Sequence, residues 1–474
     1  MKNNVKLSIL LLIVSVLYSK GQEINKKKFF VLSDLKVNQL MAGDVCESVG
    51  LKERVMKHKR LSVQGWSKKE EVFKWPVKTN KKGKAEICLL VQAPVDNTVF
   101  VLSSSKETVK VKSARGWQRI TTSLELNKNE DLITLGLEND IVGEKTASII
   151  SIEVITNKHL PTYKKQLQGF KDDLGDISWF QEAGYGIMFQ WGFWGYPKEG
   201  KERKPWKDVY RDFDIEAFAD KMQKMNPGYL IWSITWRGSR YAMPLQSVDK
   251  IMGSKDFTME YDFTGKLIDA LNKRNIPVMF YFHPGHEEKE YWDKIGGHLK
   301  DRSKFVESNI AIWTEIGERY GKKLAGWFLD DGMATHYPTD FYPYVKALKA
   351  GHPGRLVSFN PWVLANCTPF EDVFMGEAGP SGKLENGYMT TGAYKGLMSH
   401  YMFIFDGLEG INVWGIFRPN QVIKTPPYYK NPSHWQNKVD IAKKTKSPMS
   451  FCIMMYEDGT LKKETVDLIS KLKR

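Results

Sequence analysis

Short apolar runs that stop at polar or aromatic residues recur through the second half of the chain. Their positions predict eight strands, over residues 186–189, 229–234, 277–282, 324–329, 356–359, 373–376, 410–415 and 449–455. Helical spacing of apolar residues between these runs predicts helices over residues 215–225, 263–275, 304–320, 340–350 and 462–472. Apolar strands that alternate with amphipathic helices form parallel sheets with helical crossovers. The pattern therefore predicts an α/β fold, a (β/α)8 TIM-like barrel.

The first third of the chain has another pattern, of short β-branched or apolar runs separated by Lys-Gly, Pro, Asn and Asp breaks. Strands at this spacing predict a β-sandwich, with runs at residues 86–92, 98–102, 108–111, 131–137 and 148–154. The order of features resembles the galactose-binding-like jelly rolls of carbohydrate-binding modules. Trp66, Trp75 and Trp117 would form a sugar platform in such a module, although core packing is the better-supported prediction.

The chain begins with a pattern typical of a secretory signal. Lys2 and Lys6 precede the apolar residues 7–17, and the small residues Ser19 and Gly21 follow at cleavage spacing. The apolar run is too short to span a bilayer comfortably. We therefore expect an exported protein, periplasmic or secreted, without a membrane anchor. Its predicted parts are a signal peptide (1–21), a carbohydrate-binding-like β-sandwich (22–158) and a catalytic barrel (159–474).

The chain is basic, with 70 Lys and Arg against 55 Asp and Glu and a formal net charge of +15. The excess lies mostly ahead of the predicted barrel, especially in residues 52–84. A positive field attracts polyanions, and for an exported protein a sulfated or uronate-rich glycan suits this role better than nucleic acid. A solvated, lysine-rich surface explains the charge equally well. Four cysteines, with no Cys or His spacing typical of zinc, predict neither a metal nor another cofactor.

Two adjacent acids, Asp330 and Asp331, follow the strand predicted at residues 324–329. Functional residues of a barrel lie at the carboxyl ends of its strands. Glycoside cleavage uses one carboxylate as nucleophile or base and a second carboxyl as proton donor. We therefore predict Asp330 or Asp331 in the first role and Glu377 in the second, with Glu371 as the reserve. The alternative for Asp331 is a structural role in an Asp-Gly turn.

Polar, basic and aromatic residues at the other predicted strand ends form the rest of the candidate site. His283 is a catalytic acid/base candidate, and Arg237 and Arg240 suit bidentate binding of a carboxylate or sulfate. The predicted substrate-binding residues are Gln190, Trp191, Trp236, Arg237, Arg240, Tyr281, His286, His336, Asn360, Trp362, Trp414 and Arg418. The alternatives are loop packing for the histidines, surface ion pairs for the arginines and core packing for the tryptophans.

These residues resemble the fucosidase-like glycoside hydrolases of family 29, from about residue 185 to the end of the chain. Residues 186–195 look like the family's first-strand motif, and residues 327–332 look like its fourth-strand motif Trp-Phe-Asp-Gly, whose aspartate is the nucleophile. This chain has Gln190 and Trp236-Arg237 where the family has histidines that hold fucose hydroxyls, and one extra residue within 327–332. In the family a sandwich usually follows the barrel, whereas here it precedes it. The resemblance implies a divergent member with a shared barrel and a changed sugar site.

Three functions are consistent with this interpretation. The first is an exo-acting glycoside hydrolase for acidic (sulfated or uronate-containing) oligosaccharides, since arginine stands where the family has histidine. The second is a lyase or dehydratase acting by elimination on uronate-containing oligosaccharides, for example from ulvan. That reaction needs a base, a cation and an acid, for which His283, Arg237 and Tyr281 are candidates. The third is a glycan-binding protein with an inactive barrel, because fold similarity does not fix a reaction.

Overall fold

The computed structural model describes residues 29–45, 52–56, 59–174, 176–285, 288–299, 301–361, 364–376, 382–408, 414–424 and 431–474. The predicted signal peptide and the site candidates His286, Trp362 and Glu377 lie outside this range. The strands are β1 Phe30–Val31, β2 Asn38–Met41, β3 Lys52–Met56, β4 Lys59–Trp66, β5 Phe73–Thr79, β6 Gly83–Ala93, β7 Thr98–Ser103, β8 Thr108–Ser113, β9 Gly116–Leu126, β10 Asn129–Leu137, β11 Ala147–Ile155, β12 Tyr185–Phe189, β13 Leu230–Thr235, β14 Val278–Phe282, β15 Leu324–Leu329, β16 Leu356–Phe359, β17 Leu384–Glu385, β18 Tyr388–Met389, β19 Tyr401–Ile404, β20 Gly407–Leu408, β21 Ile423–Lys424 and β22 Met449–Ile453. The α-helices are α1 Leu160–Asp172, α2 Ser178–Gln181, α3 Ile215–Met225, α4 Gln246–Met252, α5 Phe263–Asn272, α6 Lys289–Lys294, α7 Ser303–Tyr320, α8 Phe341–Leu348, α9 Pro432–Thr445 and α10 Lys463–Ile469.

The N-terminal part is built from two sheets that share one core. One sheet has the order β1-β5-β10-β7-β8, and the other has the order β3-β4-β11-β6-β9 with β2 beside β11. Alternating residues of both sheets point into the same apolar cluster, as the period of a half-buried strand requires. Trp66 and Trp75 are fully buried in this cluster, and Trp117 is buried against the barrel side. These three tryptophans are therefore core residues and not an exposed sugar platform. The jelly-roll connectivity and glycan binding by this part stay predictions.

The second part is built around one parallel sheet with the strand order β16-β15-β14-β13-β12-β22-β19. Every neighbouring pair in it is parallel, which requires the helical crossovers that α3, α5, α7 and α8 provide. Strands β12 to β16 and β22 are buried along almost their whole length, which is why they are apolar without alternation. Their carboxyl ends meet at one edge, where the candidate residues lie.

Among the described residues, irregular backbone contacts link the two outer strands of this sheet, and no full eighth strand lies between them. The Asp372 N–H donates to the Val357 carbonyl of β16 at 2.9 Å, and the Phe374 N–H donates to the Met398 carbonyl at 2.8 Å, just before β19. The strand predicted at 373–376 is a single bridge between Val373 and Met398. The strand predicted at 410–415 falls mostly outside the described residues, and β19 takes the place beside β22. A parallel half-barrel is thus established, and the closed eight-stranded ring stays a prediction.

Capping side chains begin several of the helices. Asp214, Asp262, Asp340 and Asn431 each accept a hydrogen bond from a backbone N–H in the first turn of α3, α5, α8 and α9. Helices α3 and α5 then bury their apolar stripes against the sheet. Within the described residues, no helix combines the length and the apolar character needed to cross a bilayer.

A buried histidine at the opposite end of the sheet from the candidate residues gives a stability test. His400 is fully buried, its Nε2 lies 2.9 Å from Ser450 Oγ, and burial lowers its pKa from 6.5 to about 3. Between pH 6.5 and 3, His400 is protonated in the unfolded chain and neutral in the folded protein. The free energy of unfolding should therefore fall as the pH drops from 6.5 toward 3, by up to about 1.4 kcal/mol per pH unit.

Urea denaturation at several pH values measures this slope. The His400→Asn variant should have a flatter pH dependence than the wild type between pH 6.5 and 4. The matched control is His434→Asn, because His434 is exposed. Equal slopes in the wild type and in His400→Asn would contradict the assignment.

Candidate active site

Asp330 is the first residue after β15, and its carboxylate is held by three donors. Tyr281 Oη donates to Asp330 Oδ2 at 2.5 Å. Asn360 Nδ2 and the Asp331 N–H donate to Asp330 Oδ1 at 2.7 and 2.8 Å. Hydrogen bonds to a carboxylate are stronger than those between neutral groups, and three of them fix the orientation of this side chain. The side chain is only half-buried, so this is an oriented carboxylate within reach of a ligand.

Asp331 faces His283 from the next position. Its Oδ2 lies 3.5 Å from His283 Nε2, and each of the two side chains is about 3% exposed. Asp331 has a left-handed backbone (φ 52°), a conformation that Asp tolerates better than most residues. Adjacent aspartates in one extended segment would point to opposite sides, whereas this turn keeps both at the site. The turn and the functional interpretation of Asp331 are therefore compatible.

His283 is positioned by an irregularity at the end of β13. The register between β13 and β14 shifts between Ser233 and Thr235. Such a bulge changes the direction of nearby side chains and is common beside active sites. The His283 N–H donates to the Thr235 carbonyl, and Thr235 Oγ1 donates to the His283 carbonyl at 2.7 Å. The loop after His283 needs Gly285, because a Cβ there would lie 1.8 Å from Ser239 Oγ.

Tyr281 connects the ends of two strands. It lies on β14 and donates to Asp330, the first residue after β15. Burial, followed by the charge of Asp330, raises the pKa of Tyr281 well above 10. The phenol therefore stays protonated and remains a donor to Asp330.

Asn360 ties the end of β16 to the same group. Its N–H donates to the Leu329 carbonyl at 2.8 Å, and its carbonyl accepts from the Gly332 N–H at 2.9 Å. These backbone bonds continue the sheet past the strand ends on both sides of Asp330 and Asp331. The amide is thereby fixed toward Asp330, and it is 1% exposed.

An aromatic and basic rim lies at the ends of β12 and β13. The rings of Trp236 and Phe417 are 4.3 Å apart, and the guanidinium carbon of Arg237 lies 4.6 Å from the Phe417 ring centre. Arg237 is exposed and has a left-handed backbone (φ 52°), which is uncommon for a long side chain. A Cβ on Gly415 would lie 3.2 Å from the Cβ of Gln190, so the 414–417 loop borders the site.

Two predicted substrate-binding residues are core residues instead, which corrects the prediction. Trp191 is 3% exposed, stacks on Phe263 at 4.6 Å and donates from Nε1 to the Glu457 carbonyl. Because successive side chains of an extended segment point to opposite faces, Gln190 faces the site and Trp191 faces the helices. His336 is fully buried among aromatic rings, with ring centres at 5.5 to 6.5 Å. These rings belong to Phe305, Trp313, Tyr344 and Phe359.

The remaining candidates have mixed placements. Arg240 forms an ion pair with Glu288, and its guanidinium lies over the Phe193 ring at 4.3 Å. The charge of Arg240 is therefore paired with a carboxylate of the protein itself. The ion-pair alternative thus holds for Arg240. Trp414 is half-buried and its carbonyl faces Cys452 Sγ. Arg418 is exposed, and its backbone N–H donates to Gln421 Oε1.

Glu371, the reserve proton donor, is bound to the backbone of β16. Its Oε1 accepts from the Phe359 N–H at 2.7 Å, and the side chain is 4% exposed. Burial raises its pKa well above 4.5. Beside it, Asp372 accepts from the Val357 N–H, and burial raises the pKa of Asp372 to about 6. The Glu371 and Asp372 carboxyls thus accept hydrogen bonds from backbone N–H groups of β16 that a neighbouring strand would otherwise accept.

Three residues near the site were not predicted. Thr235 fixes the His283 backbone, Phe417 completes the rim, and Glu457 follows β22, buried beside Trp191. The signal for Glu457 was present in the sequence, because it follows an apolar strand in a Glu-Asp-Gly turn. Thr235 and Phe417 carry no such signal, since their roles depend on contacts between distant segments.

The imidazole and the two aspartates together form a group that suits a metal ion. One ligand atom from each of His283, Asp330 and Asp331 lies within 4.8 Å of the others. Imidazole nitrogen with carboxylate oxygen suits Mn²⁺, Fe²⁺ or Zn²⁺. The sequence prediction of no metal was based on cysteine and histidine spacing, which does not reveal a group assembled from two strands.

No protein-family model and no curated protein matches this chain. Solved structures that it is similar to are α-L-fucosidases. A bacterial fucosidase with a monovalent iminocyclitol inhibitor is 16% identical, with a TM-score of 0.44 over 62% of this chain and 74% of that one. The α-L-fucosidase AlfC from Lactobacillus casei, in complex with its α-L-fucose product, is 13% identical, with a TM-score of 0.41 over 63% and 96%. A family 29 enzyme from Bacteroides thetaiotaomicron is 15% identical, with a TM-score of 0.41 over 62% and 73%. TM-scores below 0.5 are too low to support a function, so a function for this protein depends on the geometry of its own site.

Removal of the Tyr281 hydroxyl tests the geometry around Asp330. The Tyr281→Phe variant should lose about 1–3 kcal/mol of unfolding free energy, because a buried hydrogen bond to a charged acceptor disappears. Chemical denaturation measures the loss. The control, Tyr261→Phe, changes a 40% exposed ring and should stay within about 0.5 kcal/mol of the wild type. Equal stability of both variants would contradict the contact.

Proposed function

We propose that the protein is an exported carbohydrate-active enzyme of the glycoside hydrolase type that cleaves acidic oligosaccharides. Asp330 is the nucleophile or base, and Asp331 lies beside His283, the acid/base candidate of the site. Glu377, which comes after β16 in the sequence, is the proton donor. The observation that carries this proposal is the Asp330 carboxylate, half-exposed at a strand end and held by Tyr281, Asn360 and a backbone N–H.

The hydrogen bonds to Asp330 fit the task of a nucleophile in glycoside cleavage. A carboxylate that attacks or stabilises an oxocarbenium-like centre must be ionised and aimed. Donors on both oxygens fix the orientation of the Asp330 side chain before substrate binds, so substrate binding does not have to order it. Asp330 is partly exposed, whereas Asp331 beside it is 2% exposed.

An acidic substrate is supported by the charge and the rim. The net charge is +15 for the whole chain and +12 without the predicted signal peptide, and a positive charge attracts polyanions. The exposed Arg237 lies beside the half-buried Trp236. An indole face suits the C–H face of a sugar ring, and a guanidinium suits a carboxylate or sulfate. These two groups together fit one charged sugar unit better than a neutral one.

The test is a panel of sulfated and uronate-containing oligosaccharides, read by both reducing ends and ultraviolet absorbance. We expect new reducing ends with no new absorbance. The Asp330→Asn variant should lose about 10⁴-fold in kcat, and Asp331→Asn about 10²-fold or more. The surface control Asp208→Asn should be unchanged.

Two other outcomes identify other functions. Turnover that survives both Asp330→Asn and Asp331→Asn would contradict the carboxylate mechanism. Binding of acidic glycans without any turnover by the wild type would identify a glycan-binding protein.

The second candidate function is a metal-assisted elimination on uronate-containing oligosaccharides. The specific observation in its favour is the convergence of His283, Asp330 and Asp331 within 4.8 Å. A cation there would supply the positive charge that an enolate formed next to a carboxylate requires. Asp330 would take the proton next to the carboxylate, and Tyr281 would give its proton to the leaving oxygen. The hydrogen bond between Tyr281 and Asp330 would then return a proton to Tyr281.

Mn²⁺ binding distinguishes the candidates without an activity measurement. If the elimination candidate holds, titration calorimetry should show wild-type binding with a Kd below about 1 mM. The His283→Ala variant should then bind at least about tenfold more weakly, whereas Asp208→Asn should bind like the wild type. Absence of wild-type binding, or equal binding by His283→Ala, would dismiss this candidate.

A further inference from the structure

The loop that begins at Asp331 ends against the N-terminal sheets. Tyr337, six positions further along, is fully buried, and its hydroxyl lies 2.5 Å from Ser151 Oγ. The same hydroxyl donates to Glu153 Oε1 at 3.2 Å. Ser151 and Glu153 both lie on β11, so one strand of the N-terminal part holds this loop.

The acceptor on β11 is itself fixed. Glu153 forms an ion pair with Arg119 of β9, and the side chains are 3% and 13% exposed. Strand β11 is paired with β4, β6 and β2, which leaves it little freedom to move. A buried ion pair is retained only where its remaining atoms are also satisfied, and Tyr337 satisfies one of them.

A second catalytic loop is held by the same ion pair. Arg119 Nη1 donates to the carbonyl of Cys367 at 3.5 Å. Cys367 comes seven positions after Asn360, the residue whose amide donates to Asp330. Gln39 of β2 also donates to the Thr339 carbonyl, beyond Tyr337.

The segment between Asp331 and Tyr337 connects the contacts on β11 with the candidate site. It is one short helical turn, Gly332–His336, with His336 packed among buried aromatic rings. Arg302 Nη2 donates to the Thr335 carbonyl at 2.5 Å. Gly332 packs against β16, because a Cβ there would lie 2.9 Å from Phe359 Cβ. The Thr335 N–H donates to the Asp331 carbonyl at 2.7 Å, so this turn links the position of Tyr337 to that of Asp331.

We propose that the N-terminal part is a component of the catalytic unit, and that Tyr337, Glu153 and Arg119 are positioning residues for Asp330, Asp331 and Asn360. This inference rests on the proposed function for its effect on turnover. It differs from the expectation of a carbohydrate-binding module, which would act by holding substrate nearby. One continuous apolar cluster, which includes Val37, Leu90 and Trp117 with barrel residues, joins the two parts.

The chemistry of Tyr337 suits a permanent contact. Burial, followed by the charge of Glu153, raises the pKa of Tyr337 well above 10. The phenol therefore stays protonated and remains a donor to Glu153, and it accepts from Ser151.

The experiment compares Tyr337→Phe with Tyr185→Phe. The control removes an equally buried hydroxyl, bonded to the Met225 carbonyl at 2.6 Å, at the opposite end of the sheet. Amide hydrogen exchange of peptides that cover residues 330–337 and 360–367 should be about fivefold faster or more in Tyr337→Phe only. Peptides of β22 serve as the internal reference for global opening.

Turnover gives the second measurement. On the best acidic oligosaccharide of the panel, Tyr337→Phe should lose about tenfold or more in kcat, with KM within about twofold. Tyr185→Phe should retain wild-type kcat. The Glu153→Gln variant, which keeps an acceptor oxygen for Tyr337, should lose less kcat than Glu153→Ala.

The outcomes separate this inference from the proposed function. Equal exchange in the two tyrosine variants overturns the positioning role, and so does an unchanged kcat in Tyr337→Phe. If the wild type turns over no glycan, the proposed function fails, and the exchange of the loop peptides alone decides whether β11 holds the loop.

Discussion

A carboxylate at the end of a buried strand must find donors for both oxygens, and Asp330 takes them from three segments. Tyr281 lies on the preceding strand of the sheet, Asn360 follows the next strand, and the third donor is the N–H of Asp331. This arrangement exists only if β14, β15 and β16 lie side by side, in parallel and in register. The hydrogen bonds around one carboxylate therefore connect the local chemistry with the topology of the whole sheet.

The same constraint explains why the loops beyond the strands are fixed. Backbone bonds between Leu329, Gly332 and Asn360 extend the sheet past its strand ends, and Thr235 fixes His283 in the same way. Further out, the N-terminal sheets hold the loop through Tyr337. The order of the site thus comes from two bodies of structure, with the β-rich part on one side and the parallel sheet on the other.

Much of this architecture could be predicted from the sequence, and the errors have physical causes. Strand β15 and helix α3 were predicted with their observed bounds, because apolar runs and capped amphipathic helices are local signals. Strand β19 was missed because residues 401–404 are a run of only four apolar residues, and its pairing with β22 cannot be read from the sequence. Helix α9 was missed because its buried stripe is just Trp435, Val439 and Ala442. Trp191 was predicted to face the site, but the side-chain direction alternates after Gln190 and turns Trp191 toward the helices. Arg240 was predicted to bind substrate because its partner, Glu288, is 48 positions away in the sequence.

The central claim is that Asp330 is the carboxylate presented to the reacting sugar. A crystal structure with a bound acidic oligosaccharide or its product tests this most directly. We expect the sugar between Trp236 and Arg237 on one side and Asp330 on the other, with the anomeric carbon about 3–3.5 Å from an Asp330 oxygen. A sugar seated on the N-terminal sheets alone, or an Asp330 side chain turned away from an occupied site, would contradict the account.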